Sequence, residues 1–208
     1  MKKLQLLIFA FAGLLASCVN EPATPYAYNT DPKYTQGCVD FFGAEYKYKG
    51  YGVSNNLVSI SLFSEAIIVD SITRTPKGGF GQYLLLEDVY IAPTDTILPS
   101  MPTTYTINET HQPYTVSPGK NDTIGTEIYP IGAYITYYEQ NTSKSTIKFI
   151  TSGTFVVSRN GINFTISCNF KTADKKDLKG TFTGELPHYN EVLIQTQLSR
   201  SKHTFIKL

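Results

Sequence analysis

The sequence predicts an all-β fold, an antiparallel meander that forms a β-sandwich, with an up-and-down β-barrel as the alternative. The chain is rich in Thr, Ile and Phe and contains 15 Tyr, and these residue types suit a pleated, half-buried surface. Short runs of alternating polar and apolar residues are separated by turn residues. Beyond the amino-terminal apolar run, no segment shows helical periodicity.

The first element in the chain is an export signal. Lys2 and Lys3 precede an apolar run over residues 4–15, which is too short to cross a membrane as a permanent helix. The run ends on Leu-Ala-Ser-Cys at residues 15–18, which resembles the lipobox of bacterial lipoproteins. The resemblance implies cleavage before Cys18 and acylation of that residue, and several acyl chains on one residue give a firm membrane anchor.

A tether and one domain follow the signal. Residues 18–36 contain three prolines among Thr, Tyr and Asn, and lack the apolar periodicity of a folded element, as is typical of an extended linker. The remainder is long enough for one domain with a sizeable core. The sequence therefore predicts a signal peptide over 1–17, a lipidated tether over 18–36 and a single antiparallel β domain over 37–208.

The clearest strands flank Asn160-Gly161, a dipeptide typical of a type I′ hairpin turn. Pairing outward from this turn places Val157 opposite Phe164 and keeps the apolar side chains of both strands on one face. By the same test, a five-residue loop over 172–176 returns the next strand in phase, with Leu178 facing Phe170 and Phe182 facing Ile166.

The other strands are predicted from alternation and from glycine or asparagine turns. Eight to ten short strands, joined mostly to their neighbours, fit either a sandwich or an up-and-down, calycin-like barrel. A proline-rich stretch over 92–123 holds one of them. These further strands are predicted over residues 41–51, 57–63, 66–72, 81–91, 103–108, 132–138 and 147–151.

Two cysteines remain in the mature chain besides the lipidated one. Cys38 and Cys168 would form a disulfide in an oxidising compartment, and closing so long a loop would stabilise the fold. The alternative is two separate buried thiols that behave as small hydrophobic side chains. The sequence leaves both interpretations open.

Composition and motifs argue against several functions. The net charge is +1 and Lys and Arg form no cluster, so no nucleic-acid partner is expected. His111, His188 and His203 each lack a second His or Cys at ligand spacing, so neither a metal site nor a cofactor is predicted. No Gly-x-Ser-x-Gly elbow or P-loop occurs, and the carboxylates are scattered along strands. We therefore expect no enzyme.

Tyrosines are the candidate ligand contacts. Tyr46 and Tyr48 share one face of a predicted strand, and Tyr134 and Tyr138 share a face of another. A tyrosine combines a flat apolar ring with a polar tip, which suits glycan stacking and protein interfaces. The alternative is that these tyrosines simply fill their strands.

Three segments resemble parts of small, mostly uncharacterised lipoproteins of Bacteroidetes-type bacteria. They are Ser-Gly-Thr-Phe-Val-Val-Ser at 152–158, Asn-Phe-Thr-Ile-Ser at 163–167 and Lys-Gly-Thr-Phe-Thr-Gly-Glu-Leu at 179–186. The resemblance spans residues 147–186 and implies a β-rich domain, lipid-anchored at the outer membrane, on either its surface or its periplasmic side. It brings no catalytic residues.

Three Asp-Ser/Thr-apolar tripeptides resemble the acceptor of the general O-glycosylation system of those bacteria. Their acceptor residues are Ser71, Thr96 and Thr123. The alternative is a chance pattern in a chain rich in Thr and Ile.

These observations predict an envelope lipoprotein whose domain is a noncatalytic binding module for a glycan, a peptide or a partner protein. The predicted partners are the membrane, through lipid on Cys18, and one such ligand. The alternatives are a structural or adhesive, fimbrillin-like subunit, and a small envelope enzyme or enzyme inhibitor. The sequence does not define the oligomeric state.

Overall fold

The structure is a computed structural model that describes residues 28–44, 55–99, 101–140 and 146–192. Strands dominate these ranges, which confirms the predicted all-β class. The strands are β1 (Lys33–Tyr34), β2 (Gln36–Phe41), β3 (Asn56–Phe63), β4 (Ile67–Val69), β5 (Pro76–Ile91), β6 (Thr103–Ile107), β7 (Thr115–Val116), β8 (Lys120–Ile124), β9 (Glu127–Ile131), β10 (Ala133–Glu139), β11 (Thr146–Asn160), β12 (Asn163–Thr172), β13 (Asp177–Leu178), β14 (Thr181–Glu185) and β15 (His188–Asn190).

The main sheet closes on itself. From β2 it runs through β3, β5, β10, β11 and β12 to β14, and every neighbouring pair along this path is antiparallel. The ends meet because β1 pairs with β14 and β2 pairs with β15, both in parallel. With β1/β2 and β14/β15 each counted as one interrupted strand, the meander has an odd number of strands, so its first and last run in the same direction. The meander is confirmed, and its closure is the property that removes sheet edges in a barrel.

The ring is bridged twice between β5 and β11. Strand β10 joins them at one end, and β6 with β7 joins them at the other. The gap between the two bridges is filled by the chain after β7, where the Ser117 amide donates to the Asp88 carbonyl (3.3 Å) and the Gly119 amide donates to the Ile150 carbonyl (2.8 Å). Asp88 has a φ of 53°, a left-handed conformation that a non-glycine residue adopts at a cost.

The inside of the ring is filled by side chains. Strand alternation turns every second residue inward, and the largest of these are fully buried. Tyr105 of β6 stacks on Phe155 of β11, with ring centroids 4.7 Å apart. The inner core also contains Val39, Ile60, Leu62, Leu84, Leu86, Ile91, Leu98, Ile166, Cys168, Phe170 and Phe182.

A second apolar cluster lies on the outer face of the same sheet. We define the outer cluster as Cys38, Phe63, Ile67 and Tyr83, all buried. Cys38, Phe63 and Tyr83 come from β2, β3 and β5, whereas Ile67 comes from β4. Because β4 pairs only with the start of β5 among the described strands, it acts as a cover over this part of the ring.

The hairpin between β11 and β12 corrects the predicted turn. Asn160 pairs with Asn163, so the two turn residues are Gly161 and Ile162 rather than Asn160 and Gly161. Gly161 has a φ of 64° and Asn160 has no positive φ, which fits a turn with glycine at its first central position rather than type I′. Val157 therefore pairs with Ile166. The partner of Val157 is thus two residues further along β12 than predicted, and an even shift retains the predicted faces.

The connection after β12 agrees with the prediction from the sequence. Leu178 pairs with Phe170 and Phe182 pairs with Ile166, as a five-residue loop requires. The β8–β9 hairpin was not predicted, since it lies partly in the stretch that the sequence assigned to a loop. It forms a separate two-stranded sheet.

The amino-terminal boundary of the domain also needs correction. Residues 28–36 were assigned to the tether, but Tyr34 of β1 is buried in the inner core and Gln82 exchanges hydrogen bonds with the backbone of Asn29. The predicted strand over 41–51 lies mainly outside the described residues, and β2 ends at Phe41. The segment around Tyr34 is therefore part of the fold that closes the ring.

Candidate functional site

Of the four tyrosines predicted to contact a ligand, the structure describes Tyr134 and Tyr138, and neither side chain is exposed. Tyr134 is 3% exposed, lies against Phe149, and has a pKa raised by its burial. This corrects the prediction that Tyr134 contacts a ligand, because the outer face of β10 is covered. Tyr138 is half-buried against the outer cluster. Tyr46 and Tyr48 lie outside the described residues, as does the lipidation site Cys18.

The two cysteines are separate free thiols. Cys38 belongs to the outer cluster and Cys168 to the inner core. Of the two interpretations that the sequence left open, separate buried thiols is the one that agrees with the structure, because the two side chains leave the sheet on opposite faces. Burial raises the pKa of the Cys38 thiol to about 12 and also raises the pKa of Cys168.

The three predicted glycan acceptors are exposed. Ser71 lies in the turn after β4, Thr96 in the loop after β5, and Thr123 on β8. Exposure is necessary for modification by an enzyme, and whether sugar is attached stays a prediction.

A polar cluster that the sequence did not single out lies at one end of the ring, and we call it the mouth cluster. It consists of Arg159 near the end of β11, Phe164 near the start of β12, and His188 at the start of β15. Arg159 pairs with Phe164 and has the same parity as Phe155 and the other inward-facing residues of β11, so it points toward the inside of the ring.

Both polar side chains flank the phenylalanine ring. The imidazole of His188 lies 5.3 Å from Phe164, centroid to centroid, with 32° between the ring planes. The guanidinium carbon of Arg159 lies 5.8 Å from the same centroid, within the range of a cation–π contact. Phe164 itself is buried in the inner core, which fixes the position of the cluster.

The hydrogen bond of His188 defines its tautomer. Nδ1 lies 2.8 Å from the Leu186 carbonyl oxygen, and since a carbonyl only accepts, Nδ1 carries the proton and donates. Burial lowers the pKa of His188, the Leu186 hydrogen bond opposes this, and the charge of Arg159 lowers the pKa further. The ring is therefore neutral at pH 7 and Nε2 presents a lone pair.

Two buried polar atoms of the mouth cluster lack partners. Within the described structure, neither Nε2 of His188 nor Nε of Arg159 makes a hydrogen bond, and both atoms are buried. Leaving such atoms unsatisfied costs free energy, and in a native protein such an atom calls for an explanation. Nε2 of His188 can accept a hydrogen bond from a ligand, and Nε of Arg159 can donate one.

A second group of titratable residues lies where the ring is bridged. Burial raises the pKa of Glu87 to about 8, with the charge of Asp88 adding to the effect. Burial raises the pKa of Asp88 to about 6, although Lys120 opposes it. Perturbed carboxylates of this kind occur both at functional sites and in structural networks. Their neighbours include Tyr83 and Tyr134, whose pKa values the charge of Glu87 raises further.

No protein-family model, curated protein or solved structure matches the chain. The candidate site is therefore interpreted from geometry. In the described ranges, no three or more His, Cys, Asp and Glu side chains are grouped so that they could hold a metal ion. The same ranges contain no helix long and apolar enough to cross a membrane.

From the sequence, His188 was considered only as a metal ligand, and Arg159 was passed over. A signal existed for Arg159, since it is a charged residue at an inward position beside a hairpin turn. For His188 there was no comparable signal, because its place depends on the parallel pairing of β15 with β2.

Proposed function

We propose that the protein is a lipid-anchored lipoprotein of the bacterial envelope, at the outer membrane, whose β domain is a noncatalytic binding module. The anchor is the lipid on Cys18, and the ligand is a glycan, a peptide or a partner protein. The observation that carries the binding role is the pair of unsatisfied atoms in the mouth cluster, Nε2 of His188 and Nε of Arg159.

The chemistry of the pair limits what fits. Arg159 donates and the neutral His188 accepts, so a matching ligand offers an acceptor to Arg159 and a donor to His188. A peptide amide does this, and so does a pair of neighbouring sugar hydroxyls. A bare carboxylate or phosphate fits less well, because it has no proton to donate to Nε2 and would face its lone pair.

The experiment is a binding screen with the full chain. Labelled protein is applied to an array of bacterial envelope glycans and to a peptide array, and the affinity of each hit is then measured for variants. Arg159→Met keeps the aliphatic stem but removes the donors. His188→Asn keeps a donor for the Leu186 carbonyl but removes the Nε2 acceptor. Each should weaken binding about tenfold, the equivalent of one hydrogen bond.

The matched control is Lys176→Met, a charge removal at the exposed β12–β13 turn, which should leave the affinity unchanged. Wild-type protein that binds nothing on either array would reject the binding module. A ligand that binds Arg159→Met and His188→Asn as tightly as it binds the wild type would show that its binding site lies outside the mouth cluster.

One observation favours the structural or adhesive alternative. The β8–β9 hairpin is a two-stranded sheet separate from the ring, with Ile128 54% exposed, and a small sheet of this kind gains stability by pairing with further strands. Pro130 of β9 lacks an amide and protects that edge. Electron microscopy of concentrated protein tests this alternative, since filaments would support it and strictly monomeric particles would exclude it.

A further inference from the structure

The segment over residues 66–79, which we call the arm, packs on the ring from outside. It contains β4, the turn after it and the start of β5. Within the arm, Ile67 pairs with Gly79 and Ile68 with Gly78. Across to the ring, the Gln36 amide side chain donates to the Ile67 carbonyl at 3.0 Å. The Gln140 backbone amide, directly after β10, also donates to the Gly79 carbonyl at 3.1 Å. The arm is thus a short hairpin held to the ring by a few polar contacts.

Arg74 in the turn makes ion pairs with the ring. Its Nε lies 2.7 Å from Oδ1 of Asp40 on β2, and its Nη2 lies 2.5 Å from Oε1 of Glu191, which directly follows β15. Its guanidinium carbon is 4.6 Å from the ring centroid of Tyr189 on β15. Arg74 therefore binds both strands of one parallel pair that closes the ring.

These ion pairs are partly shielded from water. The side chains of Arg74, Asp40 and Glu191 are 21%, 17% and 13% exposed. Ion pairs at the open surface contribute little, whereas removing one partner of a shielded pair leaves charge uncompensated and is strongly destabilising. Without Arg74, two carboxylates would remain on neighbouring strands with no cation between them.

Ile67 of the arm belongs to the outer cluster, which also includes Cys38, and Val69 of the arm packs against that cluster. Cys38 is 5% exposed, and the charges of Asp40 and Arg74 both act on its thiol. The thiol therefore lies beneath the arm and close to the contact that holds the arm down.

The base of the arm has the features of a hinge. Gly79 has a φ of 76° and Gly81 a φ of 151°. A Cβ on Gly79 would lie 1.9 Å from the Ala66 carbonyl oxygen, and one on Gly81 would lie 2.1 Å from the Ser64 hydroxyl. Both positions need glycine in the closed arrangement, and glycines absorb changes in backbone angle readily.

We propose that the arm is a hinged cover that opens without unfolding the ring, that Arg74 is its latch, and that opening exposes the outer cluster with the Cys38 thiol. Local opening of this kind needs less free energy than global unfolding when few contacts hold the segment. Cys168 stays buried in the inner core during the opening, so it reports global unfolding alone. The proposal does not depend on the ligand of the mouth cluster.

The test follows alkylation of each cysteine in the native full chain by a maleimide, with mass spectrometry of the separate peptides. In the wild type, Cys38 should be labelled at least tenfold faster than Cys168. This comparison is made within one molecule and requires no variant. Equal rates at the two cysteines would mean that both are exposed only by global unfolding, and would overturn the proposal.

Variants then test the latch. Arg74→Met should raise the labelling rate of Cys38 at least tenfold. Global unfolding also breaks the Arg74 contacts, so the rate of Cys168 should rise by no larger a factor and Cys38 should stay at least tenfold faster than Cys168. Glu191→Gln, a milder change to the same network, should raise the Cys38 rate by a smaller factor, and it serves if Arg74→Met does not fold. The matched control is Lys77→Met, which removes an exposed ion pair with Asp70 in the same arm and should change neither rate. An Arg74→Met or Glu191→Gln protein that labels Cys38 at the wild-type rate, or in which Cys38 is no longer labelled faster than Cys168, would contradict the latch.

Discussion

Cys38 and Cys168 lie on opposite faces of the strands of one closed sheet. Cys38 lies in β2 and points outward beneath β4, whereas Cys168 lies in β12 and points inward. Successive side chains of a strand alternate between its two faces. The sheet backbone therefore lies between the two cysteines, and a disulfide between them would require one strand to turn over.

The first prediction concerns these thiols. A reducing agent should leave the melting temperature unchanged, and mass spectrometry without reduction should find both thiols free. Cys168→Ser should lower the free energy of unfolding by about 2 kcal/mol, since it places a hydroxyl in an apolar core. Cys38→Ser should cost less, because the neighbouring Ser61 already hydrogen bonds with the thiol. A lower melting temperature after reduction would indicate a disulfide and would contradict the placement of the two thiols on opposite faces of the sheet.

The second prediction concerns the hydroxyl of Tyr105. This residue is fully buried against Phe155, and its hydroxyl makes no hydrogen bond within the described structure. Tyr105→Phe should therefore raise the free energy of unfolding by about 1 kcal/mol, because it removes an unsatisfied polar group. Tyr28→Phe is the matched control, since the Tyr28 hydroxyl donates to the Thr146 carbonyl, and it should be neutral or destabilising. Urea denaturation of the three proteins measures both changes, and a destabilised Tyr105→Phe would contradict the prediction.

The third prediction compares two glycines with similar backbone angles. Gly132 has a φ of 77° and a Cβ there would lie 2.3 Å from the Pro118 carbonyl oxygen, whereas Gly161 has a φ of 64° with open space around it. Gly161→Ala should lower the free energy of unfolding by about 1 kcal/mol, because alanine is strained in the left-handed conformation. Gly132→Ala should cost about 3 kcal/mol, because it also pushes apart the segment that joins the two bridges of the ring. Equal losses of unfolding free energy would show that this close approach is absent.

The fourth prediction is a stability maximum on the acid side of neutrality. The pKa of Glu87 is about 8 in the fold and 4.5 as a free group, so between these values the native state keeps a proton that the unfolded state releases. The free energy of unfolding therefore falls as the pH rises through this window. Asp40 and Asp88, each with a pKa of about 6, act in the same direction from 3.8 upward. His188 opposes them below 6.5, because its pKa is lowered.

Glu87→Gln should remove most of this slope. At pH 8 the variant should be more stable than the wild type by about 4 kcal/mol, and at pH 4 the two should be equal. The matched control is Glu185→Gln, a change at an exposed carboxylate, which should leave the pH profile as it is. A wild-type chain that is most stable at pH 8 would contradict the account of Glu87.

The carboxyl-terminal strands could be predicted from the sequence because their signals are local. Leu178 and Phe182 face Phe170 and Ile166 as parity requires. The predicted turn was wrong by one residue. Asn160-Gly161 and Gly161-Ile162 both place glycine in the turn and give the same two faces, so alternation alone could not distinguish them. Alternation determines the faces of a strand, and the turn conformation then determines the register.

The closure of the ring and the candidate site could not be predicted in this way. Tyr34 pairs in parallel with Phe182, nearly the whole domain away in sequence, and parallel pairing of chain ends leaves no local signal. His188, four residues after Gly184, the partner of Phe164, lies in the second parallel pair that closes the ring, where it pairs with Val39. Tyr134 was expected to be accessible because its own strand gives no sign that the outer face is covered.

The most direct test of the account is the imidazole nitrogen spectrum of His188, recorded by NMR at pH 7 without ligand and with a ligand from the glycan or peptide array. The account predicts a neutral ring protonated at Nδ1, and a shift of the Nε2 resonance on ligand addition while His111 is unchanged. A free protein with the proton on Nε2, or a bound complex in which the His188 resonances do not move, would contradict it.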